Sequence, residues 1–424
     1  MTNRPQHRGW ISKVHLRAAS VALIPAVVLV LGTVATESAQ ARTFTVLHRF
    51  NEKDGAYPSA GVIRDAAGNL YGTTEGGGTG CGSGQGCGGG VVFKLDPAGK
   101  ETVLYNFCSL SACTDGAYPV ASLIQDAKGN LYGTTYGGGA YGNGTVFKLS
   151  KTGKETVLHS FAGGTADGEG PAAELLRDAA GNFYGTTYYG GGTGCDEQYG
   201  CGTVFKLDTM GKETVLYSFA GGSDGGYPSG GLARDEAGNL YGVTWQGGDY
   251  CFDDEDCGVV YKLNKNGMLT VLHRFYYETN RDGCFPYGTP FMDQSGSLYG
   301  TTEACGGSEG AGIVWKVTQS GTESVLHRFD GSRGASPQAG VIMDGQGNLY
   351  GDTAAGGAFN FGNVFELSNE GVLTVLHNFS KSDGFGFREG VIQDAKGNLY
   401  GIAKSGGGSG CDGSGCGTVW KLTP

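Results

Sequence analysis

Charged side chains are scarce: Asp, Glu, Lys and Arg make up 17% of the 424 residues, and Met and Trp number only 5 and 4. Basic residues are outnumbered, 30 against 41 acids. Such a surface repels phosphate backbones, which argues against nucleic acid as a partner. Histidine is rarer still, and the five beyond residue 41 (His48, His159, His273, His327 and His377) share one repeated position that holds Tyr105 and Tyr217 in other copies. A position that accepts His or Tyr alike fills space and offers a polar edge, so triad chemistry and histidine metal sites lose their candidates. Beyond residue 41 no run is apolar for the roughly 18 residues a membrane helix needs. Nothing in the repeat has helical period, which excludes a mainly helical fold.

What the chain has in excess is glycine, 82 residues, set at fixed points between runs of Val, Leu, Phe and Tyr. Neither collagen nor disorder places glycine in that way. The stretch from Gly68 to Thr74, GNLYGTT, returns with its tyrosine at Tyr132, Tyr184, Tyr241, Tyr299, Tyr350 and Tyr400, at intervals of 50 to 61 residues. The chain is seven copies of one supersecondary unit. In the second copy, residues 122–126, 130–135, 145–149 and 155–161 read as four short strands joined by turns at 127–129 and 151–153 and by a Gly-rich loop. Strands apolar on both faces need cover on both sides, and a ring of small sheets supplies it. Residues 43–50 read as the fourth strand of a copy, and residues 418–422 as a third strand lacking its fourth. Joining them removes the free edges. The fold expected is all-β, a single seven-bladed β-propeller of four-stranded antiparallel blades over residues 42–424, closed by the N-terminal strand. A β-solenoid is the other way to stack repeats, but its coils are usually shorter.

The GNLYGTT, GTVFKL and TVLHSF elements resemble those of the bacterial exported tandem-repeat proteins called GloVer or choice-of-anchor repeat proteins, with the strand-turn-strand phrasing of NHL-type propellers. The resemblance covers residues 43–424 and implies a secreted or surface-associated propeller. Members named for a choice of anchor carry C-terminal sorting segments, which this chain, ending at Lys421-Leu422-Thr423-Pro424, is expected to lack.

Residues 1–41 read as a signal peptide: Arg4, Arg8, Lys13 and Arg17 precede the apolar run Ala18 to Ala35, and Ala39-Gln40-Ala41 offers a cleavage site. An uncleaved anchor is the rival reading. Cleavage removes those four basic residues and Glu37, taking the net charge from −11 to −14, and leaves a secreted or periplasmic chain, expected to be a monomer with no membrane contact. Twelve cysteines in an exported chain are expected to form disulfides. Spacing pairs Cys81 with Cys87, Cys108 with Cys113, Cys195 with Cys201, Cys251 with Cys257 and Cys411 with Cys416, and ring geometry makes Cys284 with Cys305 plausible. All fall in loops that leave one end of the blades. The spacing is not CxxC, which weighs against zinc.

Repetition marks scaffold. The Asp that ends each first strand (Asp65, Asp126, Asp178, Asp235, Asp293, Asp344 and Asp394) is suited to accept from turn amides, and the GNLYG tyrosines to pack between blades. Two GxSxG strings, at Ser223 and Ser308, lie in Gly-rich loops without the strand-to-helix elbow that a nucleophile needs. Function, if localised, belongs where the copies differ. Asp253, Asp254, Glu255 and Asp256 offer hard oxygen ligands for calcium, or form a solvated acidic loop. Tyr136, Tyr141, Tyr188, Tyr189, Tyr199, Trp245, Tyr250, Phe359 and Phe361 either stack on a ligand or cover the blade ends. Glu174, Gln338, Arg388 and Glu389 vary at the start of the innermost strand. Two functions are carried forward. The first is a non-catalytic binder of a polysaccharide or extracellular protein, with Trp245, Tyr188, Tyr136, Glu174, Arg388 and Glu389 as ligand-binding residues. The second is a polysaccharide lyase or hydrolase using Glu174 and Glu389 as acid and base, with Arg388.

Overall fold

The structure is a computed structural model, and it describes residues 42–79, 88–192, 194–195, 199–248, 257–276, 282–307, 310–388 and 390–424. The expected leader, Cys81, Cys87, Cys251, Asp253 to Asp256, Tyr250, Ser308 and Glu389 therefore lie outside the described residues.

The chain forms seven antiparallel blades of four strands each. In the second blade these are Ile124–Gln125, Leu131–Thr135, Thr145–Leu149 and Glu155–Ser160, ordered from the channel outward. The innermost ladder is shorter than the expected strand at 122–126: the backbone bends at Ala121, and only Ile124 and Gln125 pair with the second strand. It resumes beyond the bend. In every blade the residue after the Asp-Gly turn, or its equivalent, pairs again past the end of the second strand's ladder with the first, as in Ala117 with Gly137 and Glu169 with Tyr189. In the fifth blade the two pieces merge into one strand, Cys284–Met292, with a register shift between Tyr287 and Phe291.

Thr43–Arg49 pairs antiparallel with Thr418–Thr423, Phe44 opposite Leu422 and Arg49 opposite Thr418, and completes the seventh blade. No helix of the described residues is long and apolar enough to cross a membrane. The buried apolar residues form seven clusters, and each lies on a seam between two successive blades. Every seam carries the same aromatic pair, an outer-strand Phe against the next blade's third-strand ring. Phe107 meets Phe147 with centroids 4.9 Å apart and planes at 66°, and Phe50 meets Phe93 at 5.1 Å across the closure. Edge-on packing of this kind suits the ring quadrupoles. The glycine of GNLYG makes room for that ring: a Cβ on Gly133 would lie 2.8 Å from Phe147 Cζ and 2.9 Å from Leu123 Cδ2.

The repeated polar residues act as clamps. Asp126 accepts from the amides of Lys128 and Asn130, from the Asn130 side chain at 2.8 Å and from Tyr132 Oη at 3.0 Å. Burial pushes this carboxyl up, but those four bonds outweigh it and hold the pKa down at about 2. A second clamp explains why His and Tyr interchange in the outer strand. His273 Nε2 lies 3.1 Å from Asp282, and Tyr105 and Tyr217 donate to Asp115 and Asp224, each at 2.9 Å. Either side chain reaches the same carboxylate.

Candidate functional site

The channel mouth is built from two repeat positions. One is the fourth residue after the repeat tyrosine, at or just past the end of the second strand: Glu75, Tyr136, Tyr188, Trp245, Glu303, Ala354 and Lys404. The other follows the repeat's proline, or Phe387 in the seventh blade: Ser59, Val120, Ala172, Ser229, Tyr287, Gln338 and Arg388. The proline seats the inner strand against the preceding blade, because its ring packs on a glycine with φ between +88° and +99° just before the third strand, as Pro119 does on Gly90. Most of both rings face one cavity of about 820 Å³. A cavity of that size holds a ligand of several rings.

The lining divides into two arcs. Around the seam of the seventh and first blades it is charged. Lys404 Nζ lies 2.6 Å from Glu75 Oε2, and Ser59 donates to the same oxygen at 2.9 Å. Burial pushes the Glu75 carboxyl up, but the hydrogen bonds from Lys404 and Ser59 and the charges of Lys404 and Arg388 bring it below the usual carboxylate range. Next to this arc Gln338 Nε2 donates to Glu303 Oε1 at 2.7 Å.

Across the second to fifth blades the lining is aromatic: Tyr118, Tyr136, Tyr188, Trp245 and Tyr287. Each outer ring is backed by the next blade. Tyr188 stacks on Tyr227 with centroids 5.1 Å apart, Trp245 leans on Phe285 at 5.2 Å, and Tyr136 lies over Gly170, whose added Cβ would sit 2.9 Å from the ring. Burial and the neighbouring tyrosines push the Tyr188 phenol well above its ordinary value, so it is a neutral donor.

The backing residues carry backbone strain. Tyr57, Tyr118, Tyr227, Phe285 and Ser336 have φ of 57°, 59°, 55°, 59° and 51°, and the same position is glycine in the other two blades. A bulky residue with positive φ costs energy that glycine would not, and such strain gathers at functional sites. The amides of these residues are fixed by the preceding blade's loop. Tyr57 donates to the Cys416 carbonyl at 2.9 Å, Tyr227 to Cys201 at 2.8 Å and Phe285 to Cys257 at 2.9 Å. Those cysteines are disulfide-bonded, with bridges joining Cys195 to Cys201 and Cys411 to Cys416. Bridges also join Cys108 to Cys113 and Cys284 to Cys305. The stapled loops thus hold the lip of the mouth.

The residues singled out from the sequence divide between two cavities. Trp245, Tyr188, Tyr136, Gln338 and Arg388 meet in the mouth. Glu174 lines a second cavity of about 300 Å³ farther along the channel, with Ser122, Thr289 and an apolar wall that includes Ile63, Phe291 and Ile392. Its carboxyl keeps some access to the channel, and desolvation pushes its pKa up to about 7. Tyr189 packs behind Tyr188 against Tyr199, and Tyr141 and Phe359 are exposed on loops. Sequence reasoning passed over Tyr118, Tyr287, Glu169, Glu75, Glu303 and Lys404, all of which line the mouth. Counting the residues past the second strand copy by copy would have found the last three. Among the described residues the one group with metal-ligand proximity is Glu52 with Cys411 and Cys416, whose sulfurs are joined to each other.

The sequence model of the Gloeobacter/Verrucomicrobia repeat matches residues 30–197 and 193–420. No curated protein matches the chain. Among solved structures, a gluconolactonase from Xanthomonas campestris aligns with a TM-score of 0.42 and 14% identity, covering 73% of this chain and 86% of that one. A second protein, provisionally assigned as a gluconolactonase, gives 0.40 and 12%, covering 73% and 89%.

Proposed function

Since the chain belongs to the Gloeobacter/Verrucomicrobia repeat family, we propose that it is an exported, non-catalytic propeller whose stapled face binds a polysaccharide in the channel mouth. The observation that carries this reading is the aromatic arc of the 820 Å³ cavity, with its backing rings kept in a left-handed backbone where glycine would cost less. Flat, partly exposed rings offer stacking surfaces to sugar rings, while Glu75, Ser59, Glu303 and Gln338 offer donors and acceptors to hydroxyls. Neither phosphate nor metal is needed.

The test is a glycan array followed by calorimetric titration of the strongest ligand. Trp245→Ala and Tyr188→Ala are each expected to weaken binding about tenfold, the loss of roughly 1.5 kcal/mol of stacking. An array without hits, or affinity that survives both substitutions, refutes the reading. A catalytic alternative is supported by one observation, the Glu174 carboxyl poised near neutrality in the channel. Polymer turnover that disappears in Glu174→Gln would establish it.

A further inference from the structure

Within the aromatic arc stands one carboxylate that the stacking argument does not use. Glu169 lines the mouth at a position held by Ala56, Ala117, Gly226, Cys284, Ala335 and Phe385 in the other blades. Its backbone is fixed by pairing with Tyr189, and the next residue, Gly170, lies beneath the Tyr136 ring. The Tyr136 phenol is pushed up by burial and by its neighbours Tyr189 and Glu169. No hydrogen bond or ion pair to Glu169 is found among the described residues. Desolvation lifts its carboxyl above the ordinary range.

The other charges of the mouth are matched or distant from the rings. Lys404 is bound to Glu75, Arg388 stands on the same side and lowers the Glu75 pKa, and Glu303 accepts from Gln338. Among the described residues the aromatic side therefore presents carboxylate and ring faces with no cation of its own. A ring face and a desolvated carboxylate share one preference in ligands, a positively charged nitrogen. A neutral hydroxyl would leave the charge poorly compensated, and an anion would be repelled. Without residues 1–41 the net charge of −14 adds attraction of the same sign.

We infer that the saccharide taken up by this mouth carries protonated amino groups, with one ammonium docked between Glu169 and the Tyr136 ring. This rests on the saccharide-binding reading above, and it narrows the ligand class to amino sugars with free amines. The arc favours such a chain over a lysine-rich peptide, because successive flat rings on successive blades match successive sugar faces.

The experiment is calorimetric titration of the full mature chain with a glucosamine tetramer, its fully N-acetylated counterpart and tetralysine. The glucosamine tetramer is expected to bind at least tenfold more tightly than the acetylated one, the worth of a charge-assisted contact. Glu169→Gln is expected to bring that ratio close to one, while Glu370→Gln, in an exposed turn far along the repeat from the lip, preserves it. Unchanged melting of Glu169→Gln checks that the variant is folded. Equal affinity for the two tetramers, or a preference that survives Glu169→Gln, overturns the inference and leaves saccharide binding standing. If tetralysine matches the glucosamine tetramer, the saccharide assignment falls. If an array hit on neutral glycans is confirmed while neither tetramer binds, the amine assignment alone falls; an array without any hit removes the parent reading.

Discussion

Replacing Asp352 by threonine should stabilise the protein, and only above acidic pH. The position is Thr73, Thr134, Thr186, Val243, Thr301 and Ile402 in the other blades. Thr186 and Thr301 use it to donate across a seam, to the carbonyls of Gly230 at 3.0 Å and Ala339 at 2.6 Å. Asp352 is 2% exposed and its Oδ1 has no hydrogen-bond partner. Burial pushes its pKa up to about 7 from the usual 3.8. The unfolded chain releases that proton near pH 4 and the folded chain near pH 7, so the folded state binds more protons between those values. Stability therefore falls as pH rises through this window and is flat above it. Three pH units at about 1.4 kcal/mol each set a ceiling of roughly 4 kcal/mol. Asp352→Thr should recover a large part of that at about pH 8 and little at about pH 4, where both chains carry an uncharged donor. Denaturant midpoints of wild type and variant at the two pH values measure the difference. A gain of equal size at both, or a loss at the higher pH, would refute the reasoning.

Gly133→Ala should cost about 1–3 kcal/mol, because the new methyl overlaps Phe147 and Leu123 and the seam must open; a denaturant melt reads the loss, and no loss would show that the ring yields freely. The Asp clamps predict acid lability of the opposite sign to Asp352. Asp126 is held at about 2 and its six counterparts are also lowered by the hydrogen bonds they accept. Their contribution is present above about pH 4 and disappears as pH falls toward 2, so the melting temperature should drop steeply there, and less steeply in Tyr132→Phe with Asn130→Ala. Opening one bridge, by Cys195→Ser with Cys201→Ser, should weaken saccharide binding more than stability, since a six-residue loop contributes only about 2 kcal/mol while the carbonyl of residue 201 fixes the lip; titration and melting of the variant beside the wild type separate the two effects.

The architecture was legible because repetition and phase are properties of the string. Seven GNLYG units set the blade number, and the split copy at residues 43–50 and 418–422 showed how the ring closes. The third strand, Thr145–Leu149, needed no correction, since alternation over five residues identifies a strand by itself. The inner ladder was shorter than expected because Gly, Ala and Ser at its start carry no side-chain pattern. In the mouth, Tyr136, Tyr188, Trp245 and Arg388 were legible as departures from the repeat. Tyr118 escaped notice for the opposite reason: Ala-Tyr-Pro recurs at Tyr57, so it looked like scaffold, and its positive φ is invisible in a sequence. Glu174 and Arg388 fall in different cavities because they hold different repeat positions, Glu174 three residues after its proline and Arg388 one residue after Phe387, a difference that aligning the copies would have exposed.

The amide hydrogen bonds that tie Tyr227 and Phe285 to the loop of the neighbouring unit make the Tyr188 and Trp245 rings the joint property of two repeats. Recombination that exchanges whole blades, cut between one fourth strand and the next first strand, would transplant a ring without its support, whereas exchange at the GNLYG strands, carrying one unit's outer half with its neighbour's inner half, would move a finished subsite. The natural module for diversifying such a surface is the seam.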